Sequence, residues 1–200
     1  ESEDGFADLA IGVKWSPYMD EENQAILTLG LRLEIPTGDG NVFQGGHSTI
    51  INSFISFAKG FGDLHFIGYH GFQIPVNNEQ SSTISHTSLH VDYKIGNFYP
   101  LIELNWRHIL ASGNGGPYDA DLQDGPTLDI NTIQNNFDAV DIANLGTSDS
   151  EGQNYLNWAF GFRYKLSDRL TFGIVYETPL TDDNEGLFDD RLTVDIIYTF

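Results

Sequence analysis

The sequence predicts an all-β chain, an antiparallel transmembrane β-barrel with about nine strands in these 200 residues, on three observations. Apolar residues recur at every second position in segment after segment, which is the strand period, and no segment holds a useful length of 3.6-residue helical period. The connections between these segments alternate between short and long. Bulky apolar residues take one face of each segment, and most of the charges take the other.

In chain order the predicted strands are Phe6 to Ser16, Gln24 to Ile35, Thr49 to Ala58, Leu64 to Ile74, Thr87 to Ile95, Phe98 to Ile109, Tyr155 to Lys165, Leu170 to Thr178 and Arg191 to Phe200. Each is close to the roughly 9 to 11 residues that a tilted strand needs to cross a bilayer. Pro17 to Asn23, Lys59 to Asp63, Gly96 to Asn97 and Leu166 to Arg169 are the short connections. Pro36 to Ser48, Pro75 to His86, Leu110 to Asn154 and Pro179 to Asp190 are the long polar ones. Short turns on one side and long loops on the other are the habit of transmembrane barrels, and a soluble sandwich has no reason to keep it.

The polarity of the faces sets the orientation. Leu156, Trp158, Phe160, Phe162 and Tyr164 oppose Asn157, Ala159, Gly161, Arg163 and Lys165, and Leu89, Val91, Tyr93 and Ile95 oppose Ser88, His90, Asp92 and Lys94. A barrel of this size has little room inside for one bulky apolar side chain after another. With the bulky face outward in lipid and the charges inward, the barrel avoids the ~2–4 kcal/mol cost of an Arg or Lys at the lipid midplane. Lys14, Arg32, Glu34, His90, Asp92, Lys94, Glu103, Arg107, Arg163, Lys165 and Glu177 are therefore expected to form the lumen wall. The cations Lys14, Arg32, Lys94, Arg107, Arg163 and Lys165 are each expected beside a carboxylate or water, because a semi-buried charge persists only when paired or hydrated.

Composition removes several other classes. There is no cysteine, so disulfide frameworks, thiolate metal sites and cysteine nucleophiles are out. A formal charge of −20 with nine Lys and Arg leaves no basic patch for nucleic acid. No apolar run reaches the length of a transmembrane helix. Counting strands back from a periplasmic carboxyl end makes the first strand run inward from an outer loop. An even-stranded barrel then requires an odd number of further strands upstream, three being favoured, with 1–200 as the C-terminal portion of a longer chain.

At the carboxyl end Leu192, Val194, Ile196, Tyr198 and the terminal Phe200 alternate with Thr193, Asp195 and Thr199. This segment resembles the β-signal by which the outer-membrane assembly machinery of Gram-negative bacteria recognises its clients. Asp8 to Trp15 (DLAIGVKW), Leu31 to Gly40 (LRLEIPTGDG) and Asp182 to Asp195 resemble the family described as putative MetA-pathway of phenol degradation, a group of outer-membrane barrels. That resemblance implies a barrel of about twelve strands in the bacterial outer membrane and a role in passage of small molecules.

Leu110 to Asn154 has eight acids and no Lys or Arg, and reads as a long acidic outer loop. Within it Asp119 to Gly125 misses the ligand spacing of a calcium loop. Asp182, Asp183, Glu185, Asp189 and Asp190 make a second acidic loop. Both are expected to be solvated, with loosely held divalent cations bridging lipopolysaccharide as the functional reading; no cofactor or specific metal site is expected. His86 and His90, about 13 Å apart along a strand, do not share an ion. Ser88, His90 and Asp92 lie on one face but are spaced too widely along the strand for a catalytic relay, so an enzyme is not expected. The chain is expected to be a porin-like channel for passive diffusion of small polar or aromatic solutes. A closed structural or partner-binding barrel is the alternative, and an outer-membrane hydrolase the third.

Overall fold

Among the described residues nine alternating segments become nine β-strands in one antiparallel sheet, and the strands lie side by side in chain order. They are β1 (Leu9–Asp20), β2 (Ala25–Ile35), β3 (Ile50–Phe61), β4 (Leu64–Pro75), β5 (Thr83–Tyr93), β6 (Phe98–Ala111), β7 (Asn154–Lys165), β8 (Leu170–Pro179) and β9 (Arg191–Tyr198). The structure is a computed structural model that describes residues 6–38, 48–77, 81–114, 144, 146–181 and 188–200. No helix among the described residues is long and apolar enough to cross a membrane.

Two strand ends differ from expectation. β1 continues through Pro17, which was expected to open the turn, and the register slips between Trp15 and Tyr18. Proline has no N–H to give to the ladder, so a bulge takes it up and pairing resumes to Asp20. β5 starts at Thr83, four residues before the expected Thr87. Thr83, Ser85 and Thr87 put polar side chains on the phase that is apolar elsewhere, which hid the alternation. At its other end β5 stops at Tyr93, so Lys94 keeps the inward parity but lies exposed beside the turn, held by its backbone N–H to Asp63 O.

The two faces differ in coverage. In β7 Asn157 and Ala159 are each 2% exposed, whereas Trp158 and Phe160 on the other parity are 38% and 44% exposed. Among the described residues only neighbouring strands touch, and no second layer of strands covers the polar face. Its burial comes from curvature: one cavity is lined jointly by β4, β5, β6, β7 and β8. Flat strands ~4.8 Å apart would spread those five over roughly 19 Å. The sheet therefore curls around its polar side.

Outside, large apolar side chains are exposed on every strand but β8, as with Leu9, Ile11, Val13 and Trp15 on β1 or Leu192, Val194 and Ile196 on β9. Aromatics collect at the short-turn rim of this outer face, where Tyr18, Phe61, Phe66, Tyr93, Phe98, Tyr164, Phe172 and Tyr198 occupy the strand ends. His70 is outward too. The β3–β4 and β4–β5 registers are unbroken, so no bulge explains it. Its Nδ1 instead meets the Thr87 hydroxyl at 2.9 Å, and its ring stands edge-on to Phe72.

Eight successive antiparallel pairings make β1 and β9 run in the same direction, and these two edge strands do not contact each other. At the long-loop end of β1 the Asp8 carboxylate accepts the Gly38 N–H at 2.7 Å, and Thr37 Oγ1 accepts the Leu9 N–H at 2.9 Å. The Asp-Leu and Pro-Thr-Gly motifs are thus bonded to one another.

Candidate functional site

Direct cross-strand partners on the inward face build its main polar feature. His90 on β5 lies opposite Ile67 on β4 and Glu103 on β6, and Asp92 lies opposite His65 and Leu101. His90 Nδ1 lies 2.7 Å from Glu103 Oε1, and His90 Nε2 lies 3.1 Å from Asp92 Oδ2, both within hydrogen-bond distance. The other Asp92 oxygen accepts from His65 Nδ1 at 2.7 Å. Glu103, His90, Asp92 and His65 form one continuous chain across three strands.

This corrects the expected spacing. Cα atoms two apart on a strand are roughly 7 Å apart, yet an imidazole is long enough to reach a carboxylate two residues on. The chain does not take in Ser88, whose hydroxyl contacts His86 Nε2 at 3.0 Å and Asn105 Oδ1. The serine and the carboxylate-backed imidazole thus belong to separate clusters.

Toward the long-loop end, Glu177 on β8 accepts from Arg191 on β9 through Nε at 2.8 Å and through Nη2, and from Asn157 Nδ2 on β7. Arg32 and Glu34, two apart on β2, pair at 3.0 Å. Arg163 Nε reaches Asp195 Oδ2 at 4.0 Å across Gly173, which lies between them in the β7–β8–β9 register. A methyl at Gly173 would sit 2.4 Å from that carboxylate, so the missing side chain opens the path.

The cations expected beside a carboxylate or water differ in what they meet among the described side chains. Lys165 finds Asp168 at 3.3 Å, a fully exposed turn residue rather than a wall carboxylate. Lys14 lies 6.0 Å from the Phe54 ring centroid, because the residues facing it across β2 and β3 are Gly30 and Phe54. Arg107 stands at the same distance from the Tyr155 ring. Facing residues of a strand pair are set by register, which the wall residues' own spacing does not reveal.

Near the short-turn end a cavity of about 270 Å³ is lined by His65, His90, Asp92, Tyr99, Leu101, Arg163, Lys165 and Thr171. Of these, His65, Tyr99, Leu101 and Thr171 were not singled out from sequence, although strand parity alone places each with the wall residues. A second cavity of about 110 Å³ toward the loops is lined by residues including Asn52, Tyr69, Gln73, His86 and Arg107.

Asp119 to Gly125 and Asp182, Asp183 and Glu185 lie outside the described residues, as does most of Leu110 to Asn154. The base of that long loop is described: Gly113 N–H donates to Ser82 Oγ, and Ser82 exchanges two 2.7 Å bonds with Asn144. Leu192, Val194, Ile196 and Tyr198 share the exposed outer face, and Phe200 lies past the end of β9, also exposed. Among known proteins, the chain matches no family model and no curated relative.

Proposed function

We propose that this chain forms most of an outer-membrane β-barrel that works as a porin-like channel for passive diffusion of small polar or aromatic solutes. The observation that carries the reading is the inverted polarity of the sheet. Apolar side chains as large as Trp158 and Ile196 are exposed, at 38% and 71%, while Asn157, Glu177 and Ser88 lie on the covered side. In water such an arrangement gives away the hydrophobic driving force; in a bilayer it is the favoured one. The aromatic rim at the short-turn ends supports the same reading, since aromatic girdles mark bilayer interfaces.

The unmated edges of β1 and β9 support closure by further strands. Each unsatisfied backbone group in hydrocarbon costs several kcal/mol, so a spanning sheet has to close. Because β1 and β9 run the same way, antiparallel closure needs an odd number of additional strands, and three give the twelve of the family that the motifs resemble. Leu192, Val194, Ile196, Tyr198 and Phe200 serve in this reading as the signal for the assembly machinery, with lipid and lipopolysaccharide as the surrounding partners.

Single-channel recording in planar bilayers tests the function. Stepwise openings support it. Persistent silence from folded, inserted protein favours the closed-barrel alternative, in which the Glu103–His90–Asp92–His65 chain and the Glu177–Arg191 pair fill the interior.

A further inference from the structure

The cavity at the short-turn end has an asymmetry of hydrogen-bonding capacity. Both oxygens of Asp92, the carboxylate in its wall, are already engaged, one by His65 and the other by His90. The donors are not so occupied. Among the described residues Arg163 has the 4.0 Å approach of Asp195 and a longer-range attraction to Glu103, and Lys165 pairs with the fully exposed Asp168. They stand two residues apart on β7 with the same inward parity, and Thr171 is the direct cross-strand neighbour of Lys165. Donors held this loosely beside a carboxylate whose two oxygens are both engaged make a place for an anion.

We infer that this cavity is a binding subsite for a small monocarboxylate with an apolar body. The carboxylate is held by the Arg163 guanidinium and the Lys165 ammonium, with the Thr171 hydroxyl beside them. The body rests against Tyr99 and the buried Leu101. About 270 Å³ accommodates roughly nine non-hydrogen atoms at the ~30 Å³ that a water takes in the liquid. Asp92 behind the site penalises a second negative charge, so a monoanion is preferred over a dianion such as phosphate. A guanidinium matches a planar carboxylate through two parallel hydrogen bonds, and a uniform point charge does not give that match. The inference deepens the channel reading by naming the solute class, and it rests on that reading only for how the solute gets there.

Equilibrium binding to the folded protein in detergent micelles tests the subsite without asking for conductance. Titration calorimetry is run with benzoate, its neutral isostere benzamide, and inorganic phosphate, on wild type, Arg163→Gln and Lys165→Met. Benzoate is expected to bind at least about tenfold more tightly than benzamide, the loss of a charge-assisted hydrogen bond being worth that factor or more. Arg163→Gln and Lys165→Met should each weaken benzoate and leave benzamide where it was. Lys165→Met carries little folding risk because its ion-pair partner among the described residues, Asp168, is fully exposed. Benzamide binding as well as benzoate, both variants keeping wild-type benzoate affinity, or phosphate displacing benzoate at equal concentration would each overturn the subsite. Benzoate binding without any conductance in bilayers removes the channel reading and leaves the subsite standing; conductance without benzoate binding does the reverse.

Discussion

His90 and Glu103 face each other directly across the β5–β6 ladder, with the imidazole Nδ1 2.7 Å from the carboxylate Oε1. The other ring nitrogen is taken along the strand by Asp92. One imidazole thus separates two carboxylates that would repel each other if left side by side, and it uses the two short directions of a β-sheet to do so.

Replacing His90 with Ala should leave Asp92 and Glu103 without their common donor on a half-buried face. The expected loss is about 1–3 kcal/mol of unfolding free energy. Glu103→Gln keeps an oxygen acceptor for the same imidazole and should lose less. Urea unfolding from lipid vesicles measures both, and equal losses would show that the imidazole is not the keystone of the chain.

Ile55 and Ser56 are consecutive residues of β3 on opposite faces, Ile55 facing out beside His70 and Ser56 facing in beside Tyr69. With the outer face in lipid, Ile55→Arg should cost ~2–4 kcal/mol when it falls near the midplane. Ser56→Arg projects into the polar interior and should cost clearly less. The comparison is made by vesicle unfolding of the two variants. Similar penalties, or the reverse order, would remove the bilayer from the argument.

Much of the sheet was legible because its period is two and its faces are unlike. Nine strands were expected and nine are present among the described residues, and parity alone sorts Trp158 from Asn157. Legibility failed where a face changed character: Thr83, Ser85 and Thr87 are polar on the outer side, so the first turn of β5 read as loop. It failed again at Pro17, where a residue without an N–H signals an end to pairing but here is absorbed in a bulge. Partners were harder than faces. His65 shares the parity of the wall, yet its bond to Asp92 depends on the β4–β5 register, and that register is set by turns and backbone pairing rather than by either residue.

Gly62 takes the first central position of the two-residue β3–β4 hairpin with φ of 67°, the sign that a type II′ turn requires there. Space is not the constraint, since a side chain at this position would meet nothing. Gly62→Val should therefore cost about 1–2 kcal/mol through backbone strain alone. Folding yield into vesicles and the unfolding midpoint measure it. If Gly62→Val matches wild type, the turn has another conformation.

Charge at the two ends of the sheet should act over different ranges. Arg163 belongs to the cavity at the short-turn end, whereas Asp189 and Asp190 precede β9 at the long-loop end. Arg163 is in register with Asp195, five residues from Asp190, a separation of roughly 17 Å along the strands, between one and two of the ~10 Å Debye lengths at 0.1 M salt but more than five of the ~3 Å lengths at 1 M. Asp189 and Asp190 therefore act most on ions arriving from solution and only weakly on ions inside the cavity. In a conducting protein, neutralising both to Asn should shift the reversal potential toward anions in 0.1 M KCl, with little shift left at 1 M. Arg163→Gln should shift it toward cations at both concentrations, because the guanidinium touches the permeating ion at contact distance, where salt screens least. A loop variant that behaves alike in dilute and concentrated salt, or an Arg163 variant whose selectivity is that of wild type, would show that selectivity is not divided between rim and wall in this way.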